Sequence, residues 1–169
     1  MSQSSKMKNN IFYRHFDLST SFPAIGLLGD NWQVKPNPFA RQHFHNCLEI
    51  GYLQEGDGVY CSGDRECAFK TPCLVLTPPN TPHVHRINAE SANSWKWIYV
   101  DPLAMVDYLS PRLLGKISEY IRGLSCETCV ITKAEFPEIY TIAGMIVSEM
   151  EKAQQHYLTV AAYHKPVFR

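Results

Sequence analysis

The sequence predicts a mainly β domain of sandwich or barrel type, followed by helices. Three observations carry this. Short runs rich in β-forming residues recur between residues 11 and 100, each closed by Gly, Pro, Asn or Asp. One run, His43-Phe-His-Asn-Cys-Leu-Glu49, places ligand-type side chains at every second position, the period of a strand with one inward face. After Val100 the apolar spacing lengthens to three and four, which a helix requires.

In order along the chain, Met1-Ser-Gln-Ser-Ser-Lys opens a polar tail expected to be disordered over 1–10. Strand-like runs follow: Ile11-Phe-Tyr, Ala24-Ile-Gly-Leu-Leu, Phe44 to Leu53, Gly58-Val-Tyr-Cys, Cys73-Leu-Val-Leu, His83 to Ile87 and Trp95 to Val100. Turn chemistry separates them, as in Glu55-Gly-Asp-Gly58, Ser62-Gly-Asp64 and Thr77-Pro-Pro-Asn-Thr-Pro82. So many short strands at close spacing argue against a parallel α/β sheet, and residues 11–100 read as one β domain.

Residues 101–169 read as helical. Asp101-Pro102 and Ser110-Pro111 each pair a capping residue with Pro at the first helical position. Leu113, Leu114, Ile117, Ile121 and Leu124 repeat at helical spacing, and Gly123 suits a helix end. Thr132-Lys-Ala-Glu135 has the form of a capping box, with Pro137 as the alternative start. Phe136, Ile139, Ala143, Ile146, Met150, Ala153, Tyr157 and Val160 then form an unbroken heptad seam. Such a seam packs either on the β domain of its own chain or on the same helix of a second chain. Tyr163-His-Lys-Pro-Val-Phe-Arg169 ends without a capping signal, as a chain does when it is cut short.

Composition bounds the function classes. At 169 residues the chain is about one domain, and 45% apolar content is enough for a real core. Sixteen basic residues balance sixteen acidic ones, which argues against this chain itself being a strong nucleic-acid binder. No leader opens the sequence and no apolar run approaches a membrane span, so a soluble cytoplasmic protein is expected. The six cysteines then read as reduced core residues, and the unpaired Cys126-Glu-Thr-Cys129 as no metal or redox site.

The chemistry is concentrated in two segments. The strand reading puts His43, His45, Cys47 and Glu49 on one face, and Pro78-Pro-Asn-Thr-Pro-His83 brings a further imidazole from a neighbouring strand. The plain alternative is a hydrogen-bonded polar cluster filling a barrel mouth. Four such groups are costly to bury unsatisfied, which favours a ligand or metal site. Three His and one Glu suit Fe, Mn, Ni or Zn, and without a metal the same groups can hydrogen-bond the hydroxyls of a sugar. Arg41 is placed to clamp a carboxylate or phosphate, or is simply a surface arginine. Trp95 and Tyr99 share parity and, with Trp97 and Tyr60, are candidates for stacking on an apolar sugar face or for the core. His85, in register with His83, is a fifth candidate, and Cys47 reads as a core filler.

These segments resemble the two sequence motifs of the cupin superfamily. His43-x-His45-x-x-x-Glu49-x6-Gly56 is similar to the first, with Asn37 where its leading glycine would stand. Pro78-x-Asn80-x-x-His83 is similar to the second with Asn in place of glycine, and Asn88 lies one residue past the motif's asparagine. Within cupins, Arg41-Gln-His-Phe-His, Glu49-Ile-Gly-Tyr-Leu-Gln-Glu-Gly56, Leu76 to His83 and Trp95-Lys-Trp-Ile-Tyr-Val-Asp101 resemble the N-terminal sensing domain of AraC-type transcription regulators. The resemblance runs over about residues 11 to 165 and implies a jelly-roll barrel, a double-stranded β-helix, followed by C-terminal helices that mediate homodimerisation. It further implies a small-molecule ligand such as a sugar, no catalytic residues, and DNA contact only through a helix-turn-helix domain absent from this chain. The alternative is a metal-dependent cupin enzyme, a dioxygenase or sugar isomerase, using His43, His45, Glu49 and His83.

Overall fold

The computed structural model describes residues 11–29, 37, 40–88, 93–109, 115–116, 119, 123 and 129–163, excluding the side chains at 106–109 and 156–163. Ten strands and two helices lie within them. They are β1 (Phe12–Arg14), β2 (Ala24–Leu27), β3 (His43–His45), β4 (Leu48–Glu55), β5 (Asp57–Ser62) and β6 (Arg65–Lys70). Then come β7 (Cys73–Thr77), β8 (Val84–Ile87), β9 (Ser94–Val100), α1 (Pro102–Leu109), β10 (Val130–Thr132) and α2 (Pro137–Tyr163). The polar tail, the Ser110-Pro111 cap, the apolar repeat from Leu113 to Leu124 and Cys126 fall outside the described residues.

A five-stranded sheet in the order β10-β7-β4-β9-β2 faces a three-stranded sheet in the order β6-β5-β8. Alternation along each strand fills the space between them. Leu53, Tyr60, Phe69, Cys73, Val75, Trp95, Trp97 and Tyr99 form one buried cluster drawn from both sheets. β1 pairs with β3 in parallel, and an isolated bridge joins His43 to His83. Among the described residues these sheets remain separate ladders, so the fold is mainly β without a hydrogen-bonded closure.

The other face of the five-stranded sheet is covered by α2. Tyr140 and Ala143 pack with Leu74 and Ile131, while Val147 packs with Leu28 and Ile98. Tyr52 stacks on Tyr140 at 4.8 Å. The heptad seam is therefore divided. Ala143 is buried against the sheet, Met150 is half-buried, and Phe136, Ile139 and Ile146 are exposed.

Capping follows the sequence signals. Asp101 Oδ1 accepts the backbone N–H of Leu103 at 3.0 Å and of Ala104 at 3.1 Å, which caps α1. Glu135 N–H donates to Thr132 Oγ1 at 3.2 Å and the Thr132 hydroxyl donates to Glu135 at 2.6 Å, closing a turn ahead of the helix that starts at Pro137. One element lies where helix is expected. Val130-Ile-Thr132, a run of three β-branched residues, adds β10 to the edge of the sheet beside β7.

Candidate functional site

The histidine stretch is two strands rather than one. A bend at Asn46–Cys47 separates β3 from β4, yet His45, Cys47 and Glu49 all remain buried on the inner side. The bend is fastened from the side. Asn46 Oδ1 accepts the N–H of Phe16 at 2.9 Å and its amide donates to the Phe16 carbonyl at 3.0 Å. Asn80 supports it from below, donating its N–H to the His45 carbonyl at 2.7 Å from a left-handed backbone with φ 60°. Asn is tolerated there, which explains how it stands in for the glycine of the second motif. The backbone of His83 exchanges hydrogen bonds with that of His43 at 2.8 and 2.9 Å, so the second segment is locked onto the first.

The ligand atoms of His43, His45, Glu49 and His83 lie within 4.8 Å of one another. His45 Nε2 stands 3.0 Å from Glu49 Oε2, and His83 Nε2 and His85 Nε2 stand 3.5 and 4.0 Å from Glu49 Oε1. Two of these imidazoles are anchored from behind. His45 Nδ1 is 2.9 Å from the Cys47 carbonyl and His83 Nδ1 is 2.9 Å from the Thr81 carbonyl. A carbonyl only accepts, so Nδ1 carries a proton in both rings; each Nε2 then faces Glu49, as a donor when the ring is protonated and as a bare lone pair when it is neutral.

That arrangement leaves polar atoms stranded. Glu49 Oε1 and His83 Nε2, 3.5 Å apart, are buried without a well-aligned hydrogen bond, and Thr77 Oγ1 and His85 Nε2 are likewise buried without a hydrogen-bond partner. Buried side chains of this kind are normally paired, and an orphan costs on the order of 1–3 kcal/mol. The residues fit a divalent transition metal held by His43, His45, Glu49 and His83: two rings oriented by backbone carbonyls, one carboxylate, and inward lone pairs.

Electrostatics within the cluster are mutual. Burial works against the Glu49 carboxylate, but the charge of His83 and the hydrogen bond from His45 outweigh it and hold its pKa well below the usual range. Burial likewise opposes the His83 imidazolium, while Glu49 and the Thr81 carbonyl raise its pKa overall. Burial, aided by the other histidines, pushes His43 down to about 4 and His85 down to about 3. Burial and the facing carboxylate raise the Tyr99 phenol.

A cavity of about 360 Å3 opens over this floor. His43, Glu49 and His85 reach it from below, Trp97 and Tyr99 form a wall, and Arg14 and Arg41 line it as exposed residues. Of the residues singled out from sequence, His43, Glu49, Arg41 and Tyr99 line the cavity, with His45 and His83 packed beneath. Trp95 does not. It is 1% exposed and stacked at 4.6 Å behind Trp97, which takes the wall position in its place. Cys47 is a core filler whose thiol is pushed up to about 11 by burial, and Tyr60 packs inside with Cys129. Asn88 lies on the surface, donating to Asp57 at 3.3 Å. Arg14 and Thr77 gave no sequence signal, because each depends on a strand register.

No curated protein sequence matches this chain. Among solved structures, it is similar to a cupin 2 conserved barrel domain protein of Salinispora arenicola CNS-205, at 22% identity over 57% of this chain and 88% of that one, with TM-score 0.38. It is also similar to a mutant of the oxalate decarboxylase of Bacillus subtilis, at 20% identity over 59% of this chain and 32% of that one, with TM-score 0.33. No helix among the described residues is long and apolar enough to cross a membrane. The model of the AraC-like ligand-binding domain matches residues 33–156, more than half of the chain, and the protein belongs to that family.

Proposed function

We propose that the chain is the sensing module of a transcription regulator, with residues 11–100 as the ligand domain and 101–169 as the helical segment that passes the signal on. Its pocket, built around His43, His45, Glu49 and His83 with Arg41 and Tyr99 at its sides, binds a small polar metabolite such as a sugar. The observation that carries this reading is the convergent group His43, His45, Glu49 and His83, with Glu49 Oε1 and His85 Nε2 making no hydrogen bond in the floor of one cavity. Polar atoms that the fold itself leaves unpaired are partners held in reserve for something that enters.

Signalling would run through a second copy. Ile139, Ile142, Met145 and Ile146 form an exposed apolar stripe on α2, between 44% and 63% exposed. It continues into a groove of about 540 Å3 between β2 and α2, lined by Phe22, Ile25 and Met150. A stripe of this size beside a groove suits homodimerisation. DNA contact and gene control would fall to a domain outside this chain.

The test is a metabolite panel read by thermal denaturation. A ligand that stabilises the wild type and fails to stabilise the His45→Ala, Glu49→Ala double variant supports the pocket; equal stabilisation of both removes it. Sedimentation of Ile142→Glu tests the dimer, with a monomer expected.

The chemistry of the cluster favours one second reading, a metal-dependent enzyme such as a dioxygenase or sugar isomerase. A metal there would supply Lewis-acid activation of a bound oxygen. Elemental analysis of untagged protein purified without chelator decides it. Near-stoichiometric Fe, Mn, Ni or Zn that is lost in His45→Ala supports a metal centre, and its absence leaves the pocket to the metabolite alone.

A further inference from the structure

The chemistry of the ligand follows from two arginines, on the reading of the cavity as a ligand pocket. β1 runs parallel to β3 with Phe12 opposite His43 and Arg14 opposite His45. Neighbours in register share a face, so Arg14 stands on the side of the two histidines. Tyr13 takes the opposite side, its ring 5.0 Å from Phe44. Arg41, just ahead of β3, holds its guanidinium 5.4 Å from the centre of the Phe12 ring, which fixes the fork at the cavity rim.

Both arginines line the cavity that has Glu49 in its floor. Neither takes part in an ion pair among the described residues, where every arginine or lysine within 4.0 Å of a carboxylate is elsewhere. Glu49 does not neutralise them, because its close neighbours are His45, His83 and His85 at 3.0, 3.5 and 4.0 Å. Arg14, although exposed, lines the cavity, and its charge bears on His43, His83 and Tyr99. Two uncompensated guanidinium forks over a concave, partly apolar site match an oxyanion in shape and in sign. A neutral polyol could accept hydrogen bonds from the forks but would leave their charge uncompensated.

We infer that the cavity selects an anionic ligand, a small metabolite whose carboxylate or phosphate is gripped by Arg14 and Arg41 while its other polar groups meet Glu49, His83 and His85. A volume of about 360 Å3 suits one such molecule rather than a polymer.

The probes are malonate and inorganic phosphate, with malonamide as the uncharged counterpart of malonate, at constant ionic strength set by chloride. Titration of the protein as purified, read by thermal denaturation and calorimetry, is expected to show saturable stabilisation by at least one anion and none by malonamide. Arg14→Gln and Arg41→Gln should each weaken that binding by about tenfold while leaving the unliganded melting midpoint unchanged. Tighter phosphate than malonate assigns a phosphorylated ligand, and the reverse a carboxylic acid. The inference is overturned if neither anion acts beyond chloride, or if the double arginine variant binds as the wild type does. Should neutral hexoses stabilise the protein and lose their effect in His45→Ala, the pocket stands and only its anionic character falls. Loss of the pocket itself would appear as binding that ignores His45→Ala.

Discussion

The two faces of the five-stranded sheet treat buried polar groups in opposite ways. On the outer face, Lys96 is 6% exposed, yet its Nζ donates to the Leu28 carbonyl at 2.5 Å and lies 2.9 Å from Glu151 of α2. Gln154 likewise donates to the Gly26 carbonyl at 2.8 Å. On the inner face, Glu49 and Thr77 each keep a buried atom without a hydrogen-bond partner, and so do His83 and His85, which face them from the segment leading into β8 and from β8 itself. None of the orphaned atoms among the described residues belongs to a side chain packed against α2. The same sheet thus carries a finished interface on one side and an unfinished one on the other. Finished polar contacts hold elements together; unfinished ones leave donors and acceptors open.

The outer face should show the largest response to damage. Leu74, 1% exposed among Ile131, Tyr140 and Ala143, is expected to cost about 2–5 kcal/mol when truncated to Ala, through lost burial and the cavity left behind. Urea denaturation measures this, and ligand or metal stoichiometry in the folded fraction should stay as in the wild type. A parallel loss of stoichiometry would erase the division of labour between the faces.

The inner face should respond to pH. His43 and His85 are held at about 4 and about 3, against an ordinary 6.5. As pH falls below 6.5 the unfolded chain takes up protons that the folded chain refuses, so stability declines across the window down to those values. Taken alone, each of the two imidazoles lowers stability by about 2 kcal/mol by about pH 5. His83, raised, works the other way, adding stability below 6.5 that is lost as pH rises through its folded value. Glu49, held low, keeps its contribution until pH drops beneath 4.5. Denaturation midpoints of metal-free protein across this range are expected to fall, and His85→Phe to flatten the slope. A flat wild-type profile would mean that the imidazoles are not held neutral.

The smallest effect is expected from Lys96→Met. Glu151 can return to water, but the buried Leu28 carbonyl loses its donor, so a cost of about 1–3 kcal/mol is expected. A change of that size, with unaltered ligand response, would show this contact to be structural only. A large change in ligand response would move Lys96 from the scaffold into the signalling path.

Much of the site was legible because its residues lie close in sequence. His43, His45 and Glu49 keep a common side even across the bend at Asn46–Cys47, since they stand two and four positions apart and Asn46 holds the bend shut. His83 was legible because proline-rich turns end in strands. What escaped depends on partners far away in the chain. Arg14 reaches the cavity only through the parallel register of β1 on β3, and nothing in a three-residue strand announces its neighbour. Trp95 and Trp97 share parity, so sequence alone could not say which would be wall and which core. The helical seam left its packing partner open for a related reason. A spacing of three and four marks apolar positions without saying which stripe meets the sheet, and Tyr140 and Val147, outside the seam, do much of the packing. Val130–Thr132 was absorbed into a helical stretch although three β-branched residues in a row prefer a strand.

One strand makes the partition between these worlds a single residue thick. β9 turns Trp97 and Tyr99 toward the cavity and Lys96 and Ile98 toward α2, in strict alternation over seven residues. Insertion or deletion of one residue there would swap the two sets, sending an ammonium into the cavity and an indole under the helix. Ligand preference and helix docking are therefore inherited together, and grafting a new specificity onto this scaffold means replacing side chains at alternate positions while leaving the length of β9 untouched.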